Sequence, residues 1–193
     1  MANINGSIFN DNNLNGTPFA DFIQGFGGGD VVHGNGGNDT IYGYSQSPDF
    51  WYFAEGGDLL YGDDGNDSIF GQNGNDYLDG GNGNDYLNGG NGQDTFVGGL
   101  GADIFDFDSV SDSPAGGAVD QLYYFNWGQG DKIDLSTIDA DLFLPGNQAF
   151  TSSQMTYNTA NGMFTADVYG GSDLQIHMVG TQAGFLPFLD VIA

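Results

Sequence analysis

An aspartate recurs every nine residues through the first half of this chain: Asp21, Asp30, Asp39, then after one step of ten Asp49, Asp58, Asp67, Asp76, Asp85, Asp94 and Asp103. Most of them close a turn rich in Gly and Asn, as in "GGNGND" and "GQNGND". Turns whose carbonyls converge on one centre need the positive φ that Gly, and at times Asn, adopts cheaply. With one carboxylate at the end of each turn, two turns stacked 18 residues apart can surround a hard cation with about six oxygens at roughly 2.3–2.6 Å. An all-oxygen set without His or Cys selects calcium over zinc, and magnesium is disfavoured because it demands a tighter octahedron and keeps its water. The bland alternative, Asx-turn capping without metal, does not account for ten aspartates in register.

Glycine two places before the aspartate tests each turn. Gly28, Gly37, Gly56, Gly65, Gly74, Gly83, Gly92 and Gly101 pass, whereas Phe19 before Asp21 and Ser47 before Asp49 do not. Pairing good turns joins Asp39 with Asp58, Asp58 with Asp76, Asp76 with Asp94, Asp67 with Asp85, and Asp85 with Asp103. This pairing predicts about five calcium sites, with one or two weaker ones around Asp30, Asp49 and Asp67.

Composition asks for the same ion. A single basic residue, Lys132, faces 26 acidic ones, for a formal charge of −25 in 193 residues. Such a chain repels its own compaction and lacks the Lys and Arg that nucleic acids require. Five divalent ions would bring the charge to about −15 and couple folding to binding. Absence of Cys excludes disulfides and thiol chemistry. No apolar run approaches the ~20 residues of a membrane helix, so membrane insertion is not expected. Paired carboxylates can serve glycosidases, but here no unique pair stands apart from the array.

The elements that position the aspartates follow from the residue two places after each anchor: Leu14 (after Asn12), Ile23, Val32, Ile41, Trp51, Leu60, Ile69, Leu78, Leu87, Phe96 and Phe105. One apolar residue per nine, among Gly and Asn, cannot build a helix face. It fits a six-residue turn followed by a three-residue strand whose middle residue points inward. Two such units make an 18-residue coil, and the coils stack as an all-β, right-handed parallel β-roll over residues 1–106. Ile23, Ile41, Leu60, Leu78 and Phe96 are expected in one inner row, facing Val32, Trp51, Ile69, Leu87 and Phe105. Val31, Phe50, Tyr52, Phe70, Tyr86 and Ile104 would then line one outer face. Residues 107–193, with "DQLYYFNW", "DKIDLSTI", "GMFTADVYG" and "DLQIHMVG", read as a β-sandwich-like cap over the open end.

At this point the chain resembles the RTX (repeats-in-toxin) proteins, whose nonapeptide G-G-x-G-x-D-x-U-x stands here as "GGNGNDYLN" and "GGNGQDTFV". The segments "GGLGADIFDFDSVSDS", "GDKIDLSTIDAD", "GNQAF" and "DLQIHMVGT" look like the region after the repeats in serralysin-type secreted metalloproteases and in alginate epimerase R-modules. The resemblance implies that main-chain carbonyls complete each calcium site, with Gly56, Gly65, Gly74 and Gly83 in one set and Gly71, Gly80, Gly89 and Gly98 in the other. Gly37, Gly81, Asn73, Asn82 and Asn91 complete the candidate ligands. It further implies secretion by a type I exporter and folding outside the cell, with "FLDVIA" resembling the export signal. No H-E-x-x-H is present and His33 and His177 lie far apart, so the protease chemistry is not carried over. The function expected is a secreted, non-catalytic calcium-binding module for calcium-triggered folding and export. A glycan-binding or surface-adhesion module is the alternative. Asp112, Asp120 and Asp134 are candidates for a further ion near the cap.

Overall fold

The computed structural model describes residues 1–7, 9–43, 56–113, 115–138, 149–151, 153–169, 173–180 and 191–192. Its strands in chain order are β1 (Asn3–Asn5), β2 (Leu14–Asn15), β3 (Phe22–Gln24), β4 (Val31–His33), β5 (Thr40–Tyr42), β6 (Leu59–Tyr61), β7 (Ser68–Asn73), β8 (Tyr77–Asn82) and β9 (Tyr86–Asn91). They continue as β10 (Thr95–Leu100), β11 (Ile104–Asp106), β12 (Asp120–Tyr123), β13 (Lys132–Asp134), β14 (Met155–Asn158), β15 (Met163–Ala166), β16 (Leu174–Val179) and β17 (Val191–Ile192).

Successive strands alternate between two sheets. One runs β1-β3-β5-β7-β9-β11-β13-β17 and the other β14-β15-β16-β12-β10-β8-β6-β4-β2. Every pairing is parallel except β14 with β15 and β15 with β16. The chain is therefore an all-β parallel roll. Each nine-residue unit contributes one inward side chain, and Ile23, Val32, Ile41, Leu60, Ile69, Leu78, Leu87, Phe96 and Phe105 are all at most 1% exposed. Burial of one such residue is worth about 1.5–3 kcal/mol, so this single row per sheet supplies the core.

Stacking differs from the expected rows at one place. Ile41 pairs with Ile69 and Val32 with Leu60, not Ile41 with Leu60. The spacing across this seam is 28 residues on both edges, where neighbouring coils keep 18. The chain thus carries ten residues more between Gly43 and Asp58 than a regular unit does, rather than one extra residue. The unit around Asp49 lacks glycine at both turn positions, Tyr44 and Ser47 standing in their place. Asp49 and Trp51 themselves lie outside the described residues. As a consequence Val31 stands on the face of β6 and β8, apart from Phe70, Tyr86 and Ile104. Those three share the other face with a run of rings, Phe22, Tyr42, Phe70 and Tyr86, spaced 4.8–5.7 Å apart. Phe50 and Tyr52 are likewise outside the described residues.

This register makes a prediction. Deleting residues 44–53 places Gly43 five residues before Asp58, the regular spacing, so the shortened chain is expected to fold with an unchanged calcium stoichiometry by calorimetry. Loss of an ion, or of the β circular dichroism, would count against the seam.

Both sheets continue past residue 106. Phe105 pairs with Ile133 and Phe96 with Leu122, and β16 and β17 follow in turn. Leu122, Ile133 and Met178 prolong the inner rows, joined by Phe107, Phe125 and Phe164 in one continuous core.

Candidate metal centre

The aspartates form two ladders, one on each edge of the roll. In each rung a carboxylate Oδ1 accepts the backbone N–H of the aspartate one coil earlier. On the edge leading into the β3 sheet the rungs run Asp21 to Asp39 (2.7 Å), Asp39 to Asp67 (2.7 Å), Asp67 to Asp85 (2.9 Å), Asp85 to Asp103 (3.0 Å) and Asp103 to Asp131 (3.2 Å). On the other edge they run Asp11 to Asp30 (2.7 Å), Asp30 to Asp58 (2.7 Å), Asp58 to Asp76 (2.8 Å), Asp76 to Asp94 (2.9 Å) and Asp94 to Asp120 (2.7 Å). The four expected pairs beyond the seam are thus brought together. Asp39 with Asp58 is replaced by Asp39 with Asp67 and Asp30 with Asp58, because the insertion carries the chain past one unit.

Oδ1 is therefore committed to the backbone, and the second oxygen decides the chemistry. Oδ2 of Asp30, Asp39, Asp67, Asp85, Asp94, Asp103 and Asp120 is buried without a hydrogen bond. An unsatisfied buried carboxylate oxygen is costly and calls for a partner. Around each Oδ2 the backbone leaves room that only glycine provides. A Cβ on Gly80 would overlap Asp85 Oδ2 and come within 2.7 Å of the Gly98 carbonyl oxygen. The same two kinds of oxygen, the local Asp Oδ2 and the next coil's glycine carbonyl, surround Gly25, Gly34, Gly43, Gly62 and Gly71. Gly89 and Gly98 lie against Asp94 and Asp103 Oδ2 in the same way. Orphaned carboxylate oxygen beside a convergent carbonyl is a hard-cation donor set, so these residues fit calcium. Among the described residues no three His, Cys, Asp or Glu side chains cluster as metal ligands, as expected where the main chain supplies the other donors. His33 and His177 stand five strands apart in the second sheet, about 24 Å at ~4.8 Å per strand.

The ends of the ladders are closed differently. Thr17 donates both its N–H (2.6 Å) and its hydroxyl (2.7 Å) to Asp21 Oδ2, and Ser7 N–H donates to Asp11 Oδ2 (2.5 Å). At the other end Asn126 N–H donates to Asp131 Oδ2 (2.7 Å). Protein donors thus satisfy these three turns. Asp120 is different: its backbone N–H is taken by Ser113 Oγ (2.7 Å), its Oδ2 is buried without a partner, and the charges of Asp94 and Asp112 act on it. Asp134 lies on the outer face of the other sheet, beside Asp106.

Burial dominates the electrostatics. Loss of solvent pushes the carboxyls of Asp39 and Asp85 up to about 6, and those of Asp58, Asp67, Asp94 and Asp103 up to about 7, against an opposing backbone hydrogen bond in each. Asp120 rises furthest, to about 9. Asp21 moves downward, held by Ala2 and Thr17. For a carboxyl raised on folding, the stabilisation is complete below its unfolded pKa of about 4 and is lost as pH rises through the folded values. Calcium-stripped protein is therefore expected to gain β circular dichroism as pH falls from 7.5 to 5. Calcium affinity should fall over the same interval, because protons compete for Oδ2, and calorimetry in buffers of different ionisation enthalpy would count those protons. A metal-free chain equally unfolded at both pH values would contradict this.

Several cradle residues escaped the sequence reading. Gly25, Gly34, Gly43 and Gly62 do for their turns what the expected Gly71, Gly80, Gly89 and Gly98 do, and the G-x4-D spacing that marks most of them was readable. The expected Gly37, Gly65, Gly74 and Gly83 hold positive φ between 105° and 152°, and they pack against the preceding coil rather than against Oδ2, while Gly56 packs on Gly28 and Gly29. Gly81, at φ 96°, faces the Asp63 carbonyl. Asn73, Asn82 and Asn91 turn their amides outward, Asn91 Nδ2 donating to Asn73 Oδ1 (3.0 Å) and Asn82 Nδ2 to Asp64 Oδ1 (2.7 Å).

A family model described as the RTX calcium-binding nonapeptide repeat (4 copies) matches residues 9–45, 54–87 and 79–113, just over half of the 193 residues. No curated protein matches the chain. Among solved structures, the extracellular lipase LipA from Serratia marcescens is similar with a TM-score of 0.51 and 18% identity, covering 97% of this chain but only 39% of the lipase. The AlgE6R3 subunit of the Azotobacter vinelandii mannuronan C5-epimerase gives a TM-score of 0.37 and 23% identity, over 97% of this chain and 80% of that one. At such identities the lipase likeness speaks for the fold alone. The nonapeptide match, lying on turns whose aspartates and glycines form two oxygen-lined columns, places this chain in the RTX calcium-binding nonapeptide-repeat family.

Proposed function

We propose that this calcium-binding module is a folding switch in a secreted protein, exported unfolded through a type I apparatus and without a catalytic centre of its own. The observation that carries the reading is the row of buried Asp Oδ2 atoms left without a hydrogen bond in a chain holding one basic residue. Asp30, Asp39, Asp58, Asp67, Asp76, Asp85, Asp94 and Asp103, with the glycine carbonyls beside them, would hold the ions, and Asp120 with Asp112 and Asp94 one more. When bound, calcium supplies the positive charge that lets the coils stack. The chain's own residues do the rest: Oδ1 fixes each turn to the one before, the glycines leave the cradle open, and the inner apolar row seals it.

The low affinity typical of extracellular modules, about 10⁻⁴–10⁻³ M, would keep such a chain unfolded in a calcium-poor compartment. Refolding followed by circular dichroism across calcium concentrations is expected to show a cooperative midpoint in that range. A chain already folded at submicromolar calcium would remove the switch. Co-expression with a type I exporter, scoring the chain in medium against cells, tests the route separately.

A further inference from the structure

Asn followed by Gly occurs eight times in this chain. In such a pair the glycine backbone nitrogen, unhindered by a Cβ, can attack the asparagine side-chain carbonyl carbon, provided that its N–H is not already committed to the fold. Stacking of the coils sorts the eight pairs. Six of the glycines donate their N–H to a backbone carbonyl at 2.7–3.3 Å, as Gly74 does to Asn91 (3.1 Å) and Gly83 to Leu100 (2.7 Å). In the seventh pair Asn88 is buried, and its amide is held by Asp106 (2.8 Å) and Asp108 (2.9 Å). Gly92, in the eighth, has an N–H that meets no acceptor among the described residues.

The cause lies in coil length. Gly74 reaches the Asn91 carbonyl because their coils are 18 residues apart, whereas the next rung, from Asp94 to Asp120, spans 26. The longer coil carries residues 115–118 out to solvent, and no carbonyl takes the place that Asn91 fills for Gly74. Asn91 is itself exposed. Its amide nitrogen donates to Asn73 Oδ1 (3.0 Å), a surface hydrogen bond that costs little to break.

We propose that Asn91 and Gly92 form a self-modification site of the folded chain. Gly92 N forms a bond to Asn91 Cγ, the Cγ–Nδ2 bond breaks, and Nδ2 leaves as ammonia with the proton that Gly92 N gives up. Water then opens the cyclic imide at either carbonyl, giving aspartate or isoaspartate without oxidant or reductant. The two products differ in consequence. Aspartate already stands at the equivalent place of another turn: Asp64 lies three residues before Asp67 as Asn91 does before Asp94, and it accepts Asn82 Nδ2 (2.7 Å). Isoaspartate instead lengthens the backbone by one methylene between Gly89 and Asp94, which meet at the Asp94 Oδ2 cradle. One surface pair thereby sets a lifetime for one ion. The site requires only the fold, and its effect on the ion rests on the calcium reading.

Calcium-saturated full chain is aged at neutral pH and followed by peptide-mapping mass spectrometry, beside the same chain unfolded in urea with chelator. Urea reports the rate that sequence neighbours alone give each pair. Each folded rate is divided by its urea rate. By that measure Asn91 should outpace Asn73 and Asn82 by at least about fivefold, because cyclisation at those two waits for local opening of the coil. A smaller ratio overturns the site. The isoaspartate fraction, resolved by chromatography, should bind one calcium ion fewer by calorimetry, whereas Asn91→Asp should keep the parental number. Parental stoichiometry in the isoaspartate fraction, or loss of an ion in Asn91→Asp, overturns the link to the ion.

Discussion

Removing calcium at pH 7.5 is expected to abolish the β circular dichroism and the cooperative melting transition together. Each ladder stacks carboxylates at the strand spacing of ~4.8 Å. Two unit charges at that distance repel by about 3.5 kcal/mol at an effective dielectric constant of about 20. Repeated along two columns, this exceeds the 5–15 kcal/mol that holds a typical domain together. The inner rows cannot compensate, since each coil buries only two large apolar side chains. Linkage gives the complementary figure: an ion present at about ten times its Kd contributes about 1.4 kcal/mol, so five sites contribute about 7 kcal/mol. Calcium titration should therefore report ion binding and folding as one transition, with a melting temperature that climbs with calcium concentration. A chelated sample that keeps its full β signal and melting temperature would refute the coupling.

Substituting a cradle glycine should produce the second largest effect. Gly80→Ala places a methyl group on Asp85 Oδ2 and within 2.7 Å of the Gly98 carbonyl oxygen, the two atoms offered to the ion. Backbone φ at Gly80 is not in the left-handed region, so the cost is steric and electrostatic rather than conformational. Loss of one ion, about 1.4 kcal/mol, adds to an overpacking cost of about 1–3 kcal/mol. At about 2–4 °C per kcal/mol for a domain of this size, the melting temperature should fall by about 5–15 °C. Calorimetry should find one calcium ion fewer. Gly36→Ala is the matched control, because a Cβ there meets nothing closer than 3.8 Å, and it should change neither quantity appreciably. If both variants behaved alike, the cradle would not be the binding site.

Much of this molecule was legible in its sequence because the roll is built from local, repeated decisions. Nine-residue spacing sets which residue points inward, and Ile69, Leu78, Leu87, Phe96 and Phe105 took their places because a three-residue strand has only one inward position. The aspartates from Asp58 to Asp103 pair as their spacing demands, since each rung joins neighbouring coils of equal length.

What the sequence left open are the places where coils of unequal length must meet. Whether residues 44–53 form a unit or an insertion depends on which strand Ile41 finds across a longer loop, and loop closure costs little more for ten additional residues. The same reason hid Asp131, and hid that Asp120, a candidate for an ion near the cap, continues a ladder; they join at spacings of 28 and 26. Local pattern alone also could not show that Thr17 and Asn126 satisfy the terminal carboxylates, or that the Gly92 N–H meets no acceptor among the described residues. Period and composition thus determined the roll, which residue of each described unit points inward, and its ion. Tertiary stacking decided which aspartates share a rung and which oxygens remain for calcium, because both depend on contacts between coils and not on order within one.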